Sequence, residues 1–214
     1  MTRRRSPSRP SRTPRRKDGA RGQGQLRIIG GEYRRRRLPV LDLPGLRPTP
    51  DRVRETLFNW LGPTLSGARV LDLFAGTGAL GLEALSRGAH DATLVELDGR
   101  ASRALEGNLA TLGITRARVI NADAMRFLAT DPTPHSLVFL DPPFRQDLAA
   151  ACCAALEQGW LSDDASIYLE TESTLAPEVP AGWLLHREVR AGDSTGRLYR
   201  RRPTGKDSPT EDAC

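Results

Sequence analysis

Asp141-Pro142-Pro143-Phe144 closes an apolar run, Leu137-Val138-Phe139-Leu140. A carboxylate, two rigid prolines and an aromatic ring at a strand end suit the holding of a planar amine. The lone pair of an exocyclic amine is conjugated into its ring, so the nitrogen is a poor nucleophile. Two acceptors aimed at its hydrogens pull it towards tetrahedral geometry and free that pair. Asp141 supplies one acceptor and the Pro142 carbonyl, its direction preset by the fixed φ of proline, supplies the other. Phe144 can stack on a base, a contact worth about 1–3 kcal/mol in single-stranded recognition. Once the amine is substituted it becomes acidic, and Asp141 is placed to take or relay its proton. Taken alone, the tetrad also reads as an Asp-Pro turn after a buried strand.

A second loop gives the tetrad its meaning. Val70-Leu71-Asp72-Leu73-Phe74 runs into Gly76-Thr77-Gly78-Ala79-Leu80-Gly81, a formal match to G-x-G-x-x-G. Glycines at a strand-to-helix turn let a ligand approach the backbone closely. Asp72 argues against a dinucleotide, because a carboxylate there repels a pyrophosphate seated on the helix N-terminus. It attracts an ammonium or a sulfonium instead, and S-adenosylmethionine carries both and no phosphate. Glu96 ends the next strand, Ala92-Thr93-Leu94-Val95-Glu96, where an acid can accept both hydroxyls of a ribose, with Asp98 as its substitute. Asp123, in Asn121-Ala122-Asp123-Ala124, follows the third strand. It can accept from an adenine amine or cap the next helix, and the two roles can coexist. The chemistry calls for no metal.

The elements that must hold these loops alternate. Strands are predicted at 69–74, 92–97, 117–121, 136–141 and 166–170, and helices at about 78–87, 99–111, 123–129 and 146–158. Such alternation implies a parallel sheet with right-handed crossovers. Trp183–Val189 and Gly196–Arg201 read as a closing hairpin with an antiparallel strand. Upstream, Leu26–Ile29 is predicted to be a strand, Gly30-Gly31 a turn, and Tyr33–Val40 a return strand. Along that return, Arg34, Arg35, Arg36 and Arg37 would alternate between two faces, facing phosphates or guarding an edge. Thr49 is predicted to cap a helix with Pro50 at its first helical position. Val53, Leu57, Trp60 and Leu61 form its docking stripe. Arg47, Arg52 and Arg54 lie off that stripe and are expected to face RNA or the cofactor.

Composition bounds the rest. The 214 residues suit one domain with appendages: a disordered basic arm (1–24), a β-hairpin extension (25–50), the main domain (51–202) and a disordered tail (203–214). Residues 1–60 carry 17 Lys/Arg against 5 Asp/Glu, whereas the remainder carries 15 against 21. A positive end on a mildly acidic body points to a polyanion, most simply nucleic acid. No run approaches the roughly 18 apolar residues of a membrane span, and the N-terminus lacks the apolar stretch of a secretory signal. Three cysteines, Cys152, Cys153 and Cys214, form no disulfide or metal pattern, so a reduced, cytoplasmic setting is expected. No spare apolar helix face is apparent, so the chain is expected to be a monomer. Cys152 and Cys153 are assigned to packing, His90, His135 and His186 to surface or packing, and Trp183 is allowed partial exposure.

Asp72-x-Phe74-x-Gly76-x-Gly78 with Asp141-Pro142-Pro143-Phe144 resembles the amino-directed, S-adenosylmethionine-dependent methyltransferases. More narrowly, Arg27–Gly31, Arg47-Pro48-Thr49, Asp51–Leu61 and Phe74–Ala84 are similar to the RsmD family, which methylates N2 of a guanosine in 16S ribosomal RNA. The likeness runs from about Leu26 to Arg201. It implies a Rossmann-like class I methyltransferase fold, a mostly parallel seven-stranded sheet with an antiparallel closing strand and an N-terminal hairpin. It places cofactor roles on Asp72, Phe74, Gly76, Thr77, Gly78, Glu96, Asp123 and Ala124. Catalysis falls on Asp141, Pro142, Pro143 and Phe144, and the implied partner is 16S rRNA, as part of an assembled small subunit. Three other functions share parts of this pattern: an adenine-N6 methyltransferase of RNA or DNA, a non-catalytic ribosome-assembly factor of the same fold, and a nicotinamide dehydrogenase. The last fails chiefly on Asp72.

Overall fold

The computed structural model describes residues 24–43, 49–144 and 148–202; most of the expected arm, Arg47 and the polar tail lie outside them. Chain order is β1 (Gly24–Arg27), β2 (Arg37–Val40), α1 (Asp51–Leu61), β3 (Arg69–Asp72), α2 (Ala79–Ser86), β4 (Asp91–Glu96), α3 (Gly99–Leu112) and β5 (Ala117–Asn121). Then follow α4 (Ala124–Leu128), β6 (His135–Leu140), α5 (Leu148–Leu156), β7 (Leu161–Glu172), β8 (Trp183–Ala191) and β9 (Ser194–Arg201). The expected α/β alternation is present.

Seven strands make one sheet in the order β5-β4-β3-β6-β7-β9-β8, and β1 and β2 pair separately. The first five are parallel; β9 inserts antiparallel between β7 and β8. Period-2 alternation divides the apolar side chains between two faces. Val70, Leu137, Phe139, Tyr168 and Leu198 join one core with α1, α2, α3 and the hairpin. Leu71, Val138, Leu140, Ile167 and Leu169 join the other with α4 and α5. The chain changes direction between β3 and β6, and the crevice beyond their carboxyl ends is where open α/β sheets bind ligands.

The helix ends follow local chemistry. Asp98 caps α3 by accepting from the Arg100 and Ala101 N–H groups, and Gly113 (φ 70°) terminates it in the left-handed conformation that favours glycine. Cys152 and Cys153 are buried in the second core. Trp183 is buried as well, against the partial exposure allowed from sequence, and its indole N–H donates to Glu157.

The N-terminal segment departs from expectation. The return strand begins at Arg37, not Tyr33, and Arg34 and Arg35 lie in a turn. The Arg35 N–H donates to the Ile28 carbonyl while the Ile28 N–H donates to that of Arg36, so two residues oppose one in a bulge. Arg35 takes φ 68° there, the one non-glycine residue with positive φ among those described. Arg34, Arg35, Arg36 and Arg37 are therefore all exposed instead of alternating between faces. Gly30 and Gly31 do more than turn the chain: a Cβ on Gly31 would lie 1.8 Å from the Ser86 carbonyl oxygen. Their closeness docks the hairpin on the end of α2.

Two expectations for α1 also fail. Pro50, not Thr49, occupies the cap position, and among the described residues no side chain caps the helix. Arg54 does not face RNA or cofactor; it is 1% exposed. Its guanidinium donates to the Arg27 and Thr49 carbonyls and to Asp51, and lies 3.6 Å from Glu83. Phe58 joins the core while Trp60 only flanks it.

Candidate active site

Four strands of the sheet end in or beside an acid: Asp72 on β3, Glu96 on β4, Asp141 just past β6, and Glu170 near the end of β7. By strand alternation all four lie on the same face as Val70, Leu94, Phe139 and Tyr168. They line one cavity of about 810 Å³ with Phe74, Gly76, Thr77, Asp98, Asp123 and Ala124 on one side and Pro142, Pro143 and Phe144 on the other. That volume is ample for a cofactor and part of a substrate. The structure thus brings the two sequence loops together across the switch between β3 and β6.

Asp72 is 3% exposed and accepts from the Gly81 N–H at 3.0 Å, a free donor in the first turn of α2. A Cβ on Gly81 would lie 2.3 Å from Leu94 and 3.1 Å from the Asp72 carboxylate, so glycine is what lets helix and strand close. Burial pushes the Asp72 carboxyl up to about 7 and the charge of Glu96 adds to the rise, against the Gly81 and Phe74 N–H groups that favour the anion. Asp141 is likewise held well above the carboxylate range, first by burial, then by the charges of Glu170 and Asp72. Among the described residues, neither has an ion pair within 4 Å. An apolar pocket that holds carboxylates without cations attracts a cationic ligand or hydrogen-bond donors.

Glu96 ties the two cofactor-side loops together. One oxygen accepts from the Gly76 N–H and the other from the Asp98 N–H, both at 2.8 Å. Each oxygen retains a lone pair for a hydroxyl. Asp98, the expected substitute, is engaged by capping and by a two-point pair with Arg100, whose hydrogen bonds hold its carboxyl well below the usual range. Asp123 caps α4 through the Arg126 N–H and still borders the cavity, so both expected roles remain open to it. Gly78 (φ 78°) does not line the cavity; it packs against α3, where a Cβ would lie 2.5 Å from Leu105. Arg34, Arg35, Arg36, Arg37 and Arg52 lie on the exposed surface, none of them lining the cavity. Among the described residues no group of three or more His, Cys, Asp or Glu is arranged to hold a metal ion, and no helix is long and apolar enough to cross a membrane.

Leu97 and Glu170 are among the lining residues that the sequence pattern did not single out. Leu97, 69% exposed at the cavity edge, sits between the acids Glu96 and Asp98, an unusual place for a large apolar side chain outside a binding surface. Glu170 receives a hydrogen bond from the buried Tyr168 hydroxyl at 3.1 Å. The signal was available: it ends its predicted strand as Asp72, Glu96 and Asp141 end or follow theirs.

Residues 26–200 match the model of a family described as conserved hypothetical protein 95. The chain is 58% identical over 187 residues to Ribosomal RNA small subunit methyltransferase D of Escherichia coli K12, covering 86% of this chain and 94% of that protein. It is 47% identical to the protein of the same name from Haemophilus influenzae, over 83% and 94% of the two chains. It resembles the solved structure of yhhF from Escherichia coli with a TM-score of 0.79 and 57% identity, covering 85% of this chain and all of that one.

Proposed function

The chain belongs to the conserved hypothetical protein 95 family, the RsmD methyltransferases, and on that premise we propose that it methylates the exocyclic N2 amine of a guanosine in 16S rRNA of the small ribosomal subunit. The observation that carries the proposal is the single cavity bordered by Asp72, Glu96 and the glycine loop on one side and by Asp141–Phe144 on the other. The methyl donor is S-adenosylmethionine, which supplies an electrophilic methyl group on a sulfonium. The residues present fit it: Asp72 is a buried carboxylate with no cation paired to it among the described residues, Gly76 (φ 53°) opens the backbone, and Glu96 keeps acceptor capacity for a ribose.

Within the site Asp141 and the Pro142 carbonyl hold the amine by its two hydrogens, direct its lone pair into the cavity, and keep it from rotating. Asp141 then takes the proton the nitrogen must lose; burial, then the charges of Glu170 and Asp72, raise its carboxyl and with it its affinity for that proton. Phe144, 41% exposed, offers a stacking face at the mouth. The exposed Arg34–Arg37 run and Arg52 contact RNA phosphates. The substrate is the assembled subunit, and the enzyme acts as a monomer in the cytoplasm.

Incubation with deuterated-methyl S-adenosylmethionine and unmodified small subunits, followed by nuclease digestion and mass spectrometry, tests this. Labelled N2-methylguanosine is the expected product. Labelled N6-methyladenosine would keep the chemistry and overturn the base. No label on subunits or free RNA would favour an assembly factor without catalysis.

A further inference from the structure

We infer that Glu170 reads the target base, by accepting the N1–H of a guanine whose neighbouring C2 amine is held by Asp141. The inference rests on the functional reading above and names what makes that site choose its purine. β6 and β7 are parallel, and their last paired residues are Leu140 and Leu169. Asp141, just past β6, follows Leu140, and Glu170 follows Leu169 on β7, so continuing the register by one step sets the two side by side, about 4.8 Å apart at the backbone and on the same face. Both border the cavity.

Glu170 is 9% exposed and, among the described residues, has no ion pair. Tyr168 donates to its Oε2, whereas Oε1 has no protein donor among the described residues. The tyrosine reaches that position because residue 196 is glycine: a Cβ there would lie 2.1 Å from the Tyr168 hydroxyl. The fold therefore spends a buried tyrosine and a glycine on orienting one carboxylate beside another, although the two charges repel. Such an arrangement is stabilised by a ligand that brings two adjacent donors.

Of the bases with an exocyclic amine, guanine alone presents a ring N–H next to it. In adenine the neighbour of the N6 amine is the N1 lone pair, and in cytosine the neighbour of the N4 amine is the N3 lone pair. Against Glu170 either would set lone pair against carboxylate, lose a hydrogen bond and strand a buried charge. A site built to hydrogen-bond one group rejects an analogue lacking it far more strongly than an apolar pocket rejects a missing methyl. Asp141 thus holds the amine, Glu170 checks the ring nitrogen beside it, and Tyr168 is the positioning residue.

The test uses 2-aminopurine, which keeps the C2 amine but has a lone pair at N1. Once the modified nucleotide is mapped with the unaltered enzyme, small subunits are reconstituted with guanosine or 2-aminopurine riboside at that position, and kcat/KM is measured for both. The unaltered enzyme is expected to prefer guanosine by about 10- to 100-fold, the value of one hydrogen bond to a charged group. Glu170→Gln, whose amide N–H can face the N1 lone pair, is expected to bring the two within about threefold or invert them. If Glu170→Gln is too slow on both substrates to give a ratio, Tyr168→Phe supplies it: the preference falls at least about threefold if Glu170 reads N1–H. An unaltered ratio in either variant overturns the inference while leaving the enzyme's function standing. Absence of N2-methylguanosine from the unaltered enzyme overturns both.

Discussion

Helix α2 separates two buried carboxylates that the chain treats in opposite ways. Glu83, fully buried on the hairpin side, accepts the Ile29 and Gly30 N–H groups at 2.8 Å, pairs with Arg87 at 2.7 Å and lies 3.6 Å from Arg54. Asp72, at the N-terminal end of the same helix, accepts backbone N–H groups but has no cation paired with it among the described residues. The difference separates structure from function. A buried acid surrounded by donors fastens one segment to another; a buried acid left short of positive charge is held ready for a ligand. Asp141 and Glu170 belong to the second kind.

The largest effect should come from removing charge on the ligand side. Asp141→Asn is expected to lower kcat by about 10²- to 10⁴-fold, the range for a lost proton acceptor. The cofactor Kd should stay within about threefold, since the amine and not the cofactor is what Asp141 holds. Because the raised Asp141 carboxyl must be ionised to act, kcat/KM of the unaltered enzyme should fall as pH drops through its elevated pKa. Pre-steady-state transfer assays and calorimetric titration of cofactor separate the two readouts, and a near-normal rate in the variant would remove Asp141 from the mechanism.

Stability should then move oppositely at the two acids. Glu83→Ala takes an anion away from the buried Arg54 and the ion-pair partner away from the partly buried Arg87, and is expected to cost about 3–5 kcal/mol. Asp72 acts through protons. Its folded carboxyl titrates at about 7, above its ordinary 3.8, so between those values the native state binds more protons than the unfolded chain. Stability attributable to Asp72 is therefore full below about pH 4 and declines as pH rises to about 7, by at most about 4 kcal/mol. Asp72→Asn should flatten that part of the pH profile, read from urea unfolding of the cofactor-free protein, while weakening cofactor binding. A profile with the same slope in the variant would refute the account of Asp72 as an uncompensated acid.

What was legible in the sequence follows the same division. The ligand-side residues stand in short runs whose meaning is local: an acid ending a strand, glycines at the turn, prolines fixing a carbonyl. Asp72, Glu96 and Asp141 could be placed without knowing what packs against them. Arg54 could not, because its burial depends on Glu83, Arg27 and Thr49, and helical spacing shows only that it lies beside the apolar stripe. The Arg34–Arg37 run misled for a similar reason. Its alternation presumed a regular strand, whereas pairing with Ile28 inserts an extra residue that no local pattern announces. Glu170 lies between these cases: visible as a strand-terminal acid, but given meaning only by its register beside Asp141.

The comparison extends to cations, where the smallest effect is expected. Arg54 is buried and bonded on several sides; Arg34 and Arg35 are exposed and, among the described residues, without a side-chain partner. Arg35 also holds φ 68°, a conformation that costs an L residue about 1–2 kcal/mol and glycine almost nothing. Keeping arginine there favours charge over stability. Arg35→Gly should raise stability by up to about 1 kcal/mol, after allowance for the greater freedom of glycine in the unfolded chain, or about 2–4 °C in Tm. The same variant should lose one phosphate contact, making the slope of log affinity for RNA against log salt shallower by about 0.7. Both changes together would place the bulge on the RNA-binding surface. A gain in Tm with an unaltered salt slope would leave it a strained turn that only docks the hairpin.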